Sequence, residues 1–259
     1  MGNVVIYDSG VGGLTIWSAV QRQNPALDTI FVSDNQAFPY GTKSDSELLF
    51  RIHKVVATIA KNYSPEALVV ACNTASTVAL PSLRAQFGFH VVGVVPAVKP
   101  ASIASKTGEI ALLATPATVE RTYTEQLISE FARDVNVVKI GSSRLVELAE
   151  AKLRGASVTD QDLAPILSPL ENHPNVDVVV LACTHFPLLA NEINAYFSAR
   201  NRSVTLIDSA EAIARRVASL GIHSTKDAGK AVAAFTRPLS SDALRDALYA
   251  MGFSKTQVL

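Results

Sequence analysis

The chain alternates short apolar runs with longer segments that have helical periodicity. The runs are rich in Val, Ile and Leu and lack polar alternation, which is typical of strands buried on both faces of a parallel sheet. They predict strands at residues 4–7, 30–32, 68–72, 90–95, 110–114, 135–140, 178–183 and 204–208. The segments between them predict helices, including residues 14–23, 46–61, 143–154 and 160–170. The pattern therefore predicts an α/β fold, with mainly parallel sheets flanked by helices.

The strand pattern repeats within the chain. Strands that begin at residues 4, 30, 68 and 91 recur at 110, 137, 178 and 204, so the shift stays between 106 and 113 residues. We therefore expect two similar lobes with the active site in the cleft between them. The first lobe is predicted to comprise 1–95 plus 209–259, and the second 96–208. Pro96 and Pro100 predict a break after the fourth strand. Residues 210–259 are expected to be mostly helical, with one possible strand at 231–235.

Composition narrows the class of protein. The 259 residues are 48% hydrophobic and 18% charged, and 23 basic side chains balance 23 acidic ones. This balance gives no electrostatic sign of binding to nucleic acid or to an anionic membrane. Because no apolar run approaches the ~18 residues that span a bilayer, we expect a cytoplasmic protein whose thiols stay reduced.

The chain has two cysteines, and both follow predicted strands. Cys72 lies in Ala-Cys-Asn-Thr, and Cys183 lies in Ala-Cys-Thr-His. Cysteines at strand ends commonly serve only to pack the core. Here, however, the predicted repeat places both at equivalent strand ends, where α/β proteins collect their chemistry. Two opposed thiols could remove a proton from one face of a carbon acid and return one to the other face.

Other motifs give weaker signals. The turn Asp8-Ser9-Gly10-Val11-Gly12-Gly13 follows a strand and opens a helix, but Thr15 stands where a dinucleotide-binding fingerprint requires glycine. Asp8 could either cap that helix or act in catalysis. His185 near Cys183 could suggest a metal site, but no third ligand recurs nearby, so we expect neither a metal nor a cofactor.

Four motifs together resemble glutamate racemase, within the aspartate/glutamate racemase superfamily. They are the Asp8–Gly13 turn, Pro39-Tyr40-Gly41, Ala71-Cys72-Asn73-Thr74-Ala75-Ser76 and Cys183-Thr184-His185-Phe186-Pro187-Leu188-Leu189. The resemblance implies a cofactor-independent, two-base racemisation of glutamate that supplies D-glutamate for peptidoglycan.

The resemblance also implies residue roles. Cys72 would deprotonate D-glutamate, and Cys183 would deprotonate L-glutamate. Asp8 and His185 would assist the thiols, with Glu150 near the histidine. The substrate would be held by Ser9, Tyr40, Gly41, Asn73, Thr74, Thr118 and Thr184.

Two alternatives stay open. One is a related activity on the same scaffold, such as aspartate racemisation. The other is a two-lobed small-molecule binding protein in which both cysteines belong to the core. The resemblance further implies a homodimer. Because the sequence begins directly at the first strand, we expect no activator-binding arm and no regulation by a cell-wall precursor.

Overall fold

The computed structural model describes residues 3–222 and 229–259, which form α-helices and parallel strands. The strands are β1 (Asn3–Asp8), β2 (Asp28–Ser33), β3 (Ala67–Val70), β4 (His90–Gly93), β5 (Glu109–Ala114), β6 (Asn136–Gly141), β7 (Val178–Leu181), β8 (Thr205–Ile207), β9 (Ala231–Phe235) and β10 (Lys255–Val258). The helices are α1 (Leu14–Gln23), α2 (Asp45–Tyr63), α3 (Asn73–Gln86), α4 (Val98–Ala104), α5 (Pro116–Glu120), α6 (Thr122–Phe131), α7 (Arg144–Leu153), α8 (Asp160–Leu167), α9 (Ala190–Ser198), α10 (Ala210–Ala218) and α11 (Asp242–Ala250). Within these ranges, no helix has the length and apolar character of a membrane span.

The chain divides into two compact units. The first consists of Met1–Val94 and Ala210–Leu259, and contains a six-stranded sheet in the order β10-β9-β2-β1-β3-β4. Each neighbouring pair in this sheet is parallel. All four residues of β3 are buried, as the continuous apolar run predicted.

The second unit, Val95–Ser209, contains a four-stranded parallel sheet in the order β6-β5-β7-β8. One face of this sheet carries a core formed by β5, β7 and the helices α4 and α6. Ile110, Leu112, Val178 and Val180 supply the strand side of that core, and each is buried.

The two units share one strand order, which confirms the expected pair of similar α/β lobes. The order β2-β1-β3-β4 in the first unit corresponds to β6-β5-β7-β8 in the second. The registers correspond as well, because Tyr7 pairs with Val70 on β3 and Leu113 pairs with Leu181 on β7. Cys72 and Cys183 each lie two residues beyond the paired residue on their own strand. The two thiols therefore occupy equivalent positions in their respective sheets.

The break predicted after the fourth strand is present, since β4 ends at Gly93, and the helix α4 then begins at Val98 and contains Pro100. Proline is tolerated in the first turn of a helix, where the backbone N–H groups have no intrahelical partner. Val98 and Ala101, on the inner face of α4, are completely buried. That burial stabilises a short helix which the prolines alone would not predict.

For residues 210–259, the predicted strand at 231–235 is confirmed as β9, but the prediction that the segment is mostly helical is wrong. The described part of this segment holds α10 and α11, of nine residues each, together with strands β9 and β10. β10 escaped prediction because its sequence, Lys-Thr-Gln-Val, is largely polar and its residues are half-buried or exposed. A strand at the edge of a sheet has one partner and one free edge, and commonly carries such polar residues.

Candidate active site

Cys72 lies between β3 and the N-terminus of α3. It occupies the N-cap position of that helix, and the residue is 7% exposed. Its Sγ atom lies 3.5 Å from the hydroxyl oxygen of Ser9. The N–H groups and the dipole at a helix N-terminus favour negative charge near the first turn, which is where the Cys72 residue lies.

Asp8 is the last residue of β1 and is fully buried. Its Oδ1 atom accepts a hydrogen bond of 2.7 Å from the backbone N–H of Gly10. Gly13 serves close packing in this turn, since a Cβ atom there would lie 2.7 Å from that of Asp8 and 3.1 Å from that of Ala71. The turn therefore holds the start of α1 tightly against the ends of β1 and β3.

Asn73 and Thr74 form the first turn of α3, directly after Cys72, and both are buried. The Oδ1 atom of Asn73 has no hydrogen-bond partner among the residues that the structure describes. Leaving a buried amide oxygen unpaired costs about 1–3 kcal/mol, so such atoms commonly mark a place where a ligand or water binds. The carbonyl group of Asn73 is therefore available to an N–H donor.

Tyr40 and Gly41 lie in the 3-10 turn Tyr40–Thr42. The side chain of Tyr40 points into the protein, and the residue is 1% exposed. Its hydroxyl group hydrogen-bonds to that of Tyr7 and donates to Oδ2 of Asp34 at 2.6 Å. Burial raises the pKa of Tyr40 far above its usual range, so the hydroxyl stays protonated. Gly41 is half-buried.

Cys183 follows β7 and faces a chain of polar residues within the second unit. Its Sγ atom lies 3.9 Å from Nδ1 of His185, and Nε2 of His185 lies 3.0 Å from Oε1 of Glu150. Because a carboxylate only accepts hydrogen bonds, Nε2 carries the hydrogen in this contact. In the neutral imidazole, the lone pair of Nδ1 then faces the Cys183 thiol and can accept its proton.

Arg154 extends this chain of contacts, since its Nη1 atom donates to Oε2 of Glu150 at 3.1 Å. Arg154 was not among the residues predicted from the sequence. Its position four residues after Glu150 on a predicted helix was a usable signal, because residues at that spacing share a helix face. Glu150 therefore contacts both a histidine and a guanidinium group.

Two of the predicted threonines, Thr118 and Thr184, lie in the second unit. Thr184 is buried between Cys183 and His185. Thr118 is fully buried in α5, and its hydroxyl lies 3.0 Å from that of Thr115, the N-cap residue of α5. In the ranges 3–222 and 229–259, no group of three His, Cys, Asp or Glu side chains could hold a metal ion.

Comparison with known proteins identifies the family. The profile of the Asp/Glu/Hydantoin racemase family matches residues 15–217. Glutamate racemase from Vibrio campbellii is 46% identical over 260 residues, which cover 98% of this chain and 95% of the relative. The chain belongs to the Asp/Glu/hydantoin racemase family. The resemblance to glutamate racemase that the motifs indicated is thereby confirmed.

Solved structures of racemases agree with this assignment. Escherichia coli glutamate racemase, in complex with L-glutamate and the activator UDP-MurNAc-ala, is 42% identical, with a TM-score of 0.92 over 100% of this chain and 98% of that one. Glutamate racemase isoform RacE1 from Bacillus anthracis is 29% identical, with a TM-score of 0.85 over 99% of this chain and 96% of that one. The fold extends to the aspartate racemase of Picrophilus torridus, which has a TM-score of 0.56.

Proposed function

We propose that this racemase interconverts L- and D-glutamate without a cofactor, using Cys72 and Cys183 as its two bases. The observation that carries the proposal is the equivalent position of the two thiols, each just beyond the corresponding strand of its own sheet. Each thiol also has a polar side chain within reach, Ser9 beside Cys72 and His185 beside Cys183. Each therefore has the surroundings of an acid–base group.

The proposed reaction transfers one proton at each face of the substrate Cα. The thiolate of Cys72 removes the Cα hydrogen of D-glutamate, and the electron pair of the C–H bond passes into the carboxylate as an enediolate. The thiol of Cys183 then donates its proton to the opposite face, which gives L-glutamate. The reverse reaction begins at the thiolate of Cys183. Both steps are general acid–base catalysis and require each sulfur to lie within hydrogen-bond reach of the carbon.

Two further side chains assist these transfers in the proposal. Asp8 lies at the end of β1, beside the turn that carries Ser9, and assists Cys72. His185 assists Cys183, and Glu150 fixes its tautomer through the contact at Nε2. A carboxylate thus serves one thiol, and an imidazole–carboxylate pair serves the other.

Buried polar groups near the thiols hold the substrate. The unpaired Oδ1 atom of Asn73 accepts a hydrogen bond from the substrate ammonium group. Hydroxyl and amide donors suit the carboxylates of a small dicarboxylic acid. In the proposal these donors come from Ser9, Thr74, Thr118 and Thr184 and from the turn that contains Tyr40 and Gly41.

The proposed product, D-glutamate, supplies peptidoglycan synthesis. This role suits a chain in the cytoplasm, where Cys72 and Cys183, which form no disulfide, stay reduced. The family resemblance further supports a homodimer, which light scattering of the purified chain would test.

The test uses purified chain that has been dialysed against a chelator and shows no pyridoxal absorbance. L-Glutamate in D2O should lose its optical rotation, and the D-glutamate formed should carry deuterium at Cα, because the thiols exchange with solvent between turnovers. L-Aspartate, assayed in parallel, should react much more slowly. Activity that returns only with added metal or pyridoxal phosphate contradicts the mechanism. Faster turnover of aspartate than of glutamate contradicts the substrate.

A further inference from the structure

The first unit contains a buried polar cluster that the sequence did not indicate, centred on Asp34. This residue follows β2 and is fully buried. Its carboxylate accepts hydrogen bonds from Nε of Arg51 at 2.7 Å, from the hydroxyl of Tyr40 at 2.6 Å and from the hydroxyl of Thr236 at 2.7 Å. Nη2 of Arg51 also donates to Oδ1, so the guanidinium group binds the carboxylate with two nitrogen atoms.

The cluster connects segments that are far apart in sequence. Arg51 belongs to α2, Tyr40 to the 3-10 turn, and Thr236 follows β9. The backbone N–H of Asp34 donates to the carbonyl oxygen of Asp8 at 2.9 Å, which ties the cluster to the end of β1. Asp34 thus links the turn containing Tyr40 and Gly41 to the strand end that carries Asp8.

Protonation fixes the direction of each hydrogen bond in the cluster. Burial tends to raise the pKa of Asp34, but the hydrogen bonds from Arg51, Tyr40 and Thr236 outweigh it and hold that pKa below its usual value. Burial raises the pKa values of Tyr7 and Tyr40, so both hydroxyl groups stay protonated. Tyr40 donates its one hydrogen to the ionised Asp34, and its oxygen therefore accepts from Tyr7. Only one orientation of the Tyr40 hydroxyl hydrogen satisfies both contacts.

We propose that the Arg51–Asp34 pair is a positioning device for the substrate, which acts by holding the Tyr40–Thr42 turn through the Tyr40 hydroxyl. This inference rests on the proposed function, in which Tyr40 and Gly41 contact glutamate. The Tyr40 hydroxyl is hydrogen-bonded to the buried side chains of Tyr7 and Asp34, so it anchors the turn. Gly41, the next residue, is half-buried and therefore partly accessible. The Arg51 guanidinium group contacts the side chains of Asp34 and Gln36. Its effect on the reaction therefore passes through Asp34 and Tyr40.

A purely structural role for the cluster predicts a different result. In that case, removing a hydrogen bond from Asp34 lowers thermal stability and leaves the kinetics of the folded enzyme unchanged. If the cluster positions the turn, removing one of its hydrogen bonds weakens the binding of substrate and transition state equally. This loss raises KM and leaves kcat nearly constant. The ratio of the two kinetic effects therefore separates the two roles.

The experiment compares Tyr40→Phe and Arg51→Lys with the wild-type chain. Tyr40→Phe removes only the hydroxyl, while Arg51→Lys keeps the charge and loses the two-nitrogen contact. Each should raise KM for both enantiomers by about threefold to tenfold, the effect of a lost or misplaced hydrogen bond, and change kcat by less than about twofold. Arg22→Lys is the matched control, because Arg22 forms an exposed ion pair with Glu211 in the same unit and should keep the wild-type KM.

The double variant Tyr40→Phe/Arg51→Lys gives a second test. Both substitutions act through the same hydroxyl, so the double variant should raise KM about as much as Tyr40→Phe alone. Wild-type KM in folded Tyr40→Phe, whatever its melting temperature, overturns the proposal. A wild-type chain that does not racemise glutamate overturns the proposed function instead. The positioning role is then tested by the shift in melting temperature, which a fixed, sub-saturating concentration of glutamate should make larger in the wild type than in Tyr40→Phe. Equal shifts overturn it.

Discussion

The two thiols differ in their immediate surroundings. Cys72 lies at a helix N-terminus beside a serine hydroxyl, and Cys183 faces an imidazole backed by a carboxylate. Equivalent strand ends therefore carry two thiols with chemically different neighbours. Since the enantiomers of glutamate have equal free energies, kcat/KM must be the same in both directions for every variant. Differences between the thiols should appear in kcat and KM taken separately.

Cys72→Ser and Cys183→Ser should each fold normally and still bind glutamate. Serine keeps nearly the shape of cysteine, but its hydroxyl is a far weaker acid. Racemisation should fall by at least ~10²–10⁴-fold in each variant, the usual contribution of one positioned acid–base group. The double variant should lose little more, because groups that act as a unit are not additive. Chiral chromatography of the product measures the rate, and near wild-type racemisation by either folded variant is incompatible with two-base catalysis.

Asp8→Asn and His185→Asn should lower kcat more than they raise KM, because in the proposed mechanism these side chains set protonation and do not anchor the substrate. Asp8→Asn should change kcat more in the direction in which Cys72 abstracts the proton, and His185→Asn in the opposite direction. Initial rates from each enantiomer across a pH series provide the measurement. An unchanged pH–rate profile in both variants would count against these roles.

At the scale of elements, α7 holds the segment that follows Cys183. Glu150 of α7 contacts His185, and Nζ of Lys152 donates to the carbonyl oxygen of Leu188 at 2.8 Å. The same ammonium group lies 2.7 Å from Oε1 of Glu192 in α9. The helix α7 therefore contacts both His185 and the 3-10 turn Phe186–Leu189 and holds them in place.

Lys152→Met should lower the free energy of unfolding by about 1 kcal/mol, because it removes a charged donor from a partly buried site. The hydrocarbon stem, and with it the packing, is retained. Arg144→Met on the same helix is the control, since its ion pair with Glu147 is exposed and its loss should cost less than about 0.5 kcal/mol. Urea denaturation measures both, and equal effects would show that Lys152 is no more than a surface charge.

Features of the fold and the site were predictable where neighbouring residues in the sequence carry the signal, and not where the signal depends on distant residues. β1, β3, β5 and β7 were predictable because buried parallel strands are continuous apolar runs, and Cys72 and Cys183 could be found because they follow two of those runs. β4, β6 and β8 are largely half-buried or exposed, and were predictable from their Val, Ile and Leu residues. β10 is polar, and α4 contains Pro100, so local pattern argued against both. The contacts of Asp34 with Arg51 and of His185 with Glu150 join residues that only the tertiary fold brings together.

For the whole molecule, the buried carboxylate of Asp34 implies a loss of stability in acid. Its pKa in the folded state is lower than in the unfolded chain, so its stabilising contribution is fully present above the unfolded value of about 3.9. The contribution disappears as the pH falls through the lower, folded pKa. Asp34→Asn should therefore lower the melting temperature strongly at pH 7 and much less near pH 3. An equal drop at both pH values would show that the carboxylate charge contributes nothing.

The matching strand orders of the two sheets have a meaning in terms of descent. One strand order that occurs twice, with one cysteine at the same place in each copy, is what duplication of a half-length gene leaves behind. After such an event, a substitution beside one thiol leaves the surroundings of the other intact. The copies now differ near their cysteines. Asp8 lies at the strand end of one copy, and the other carries the contact between Glu150 and His185. Under the proposed mechanism, the two proton transfers of one reaction are thus open to separate adjustment by natural selection.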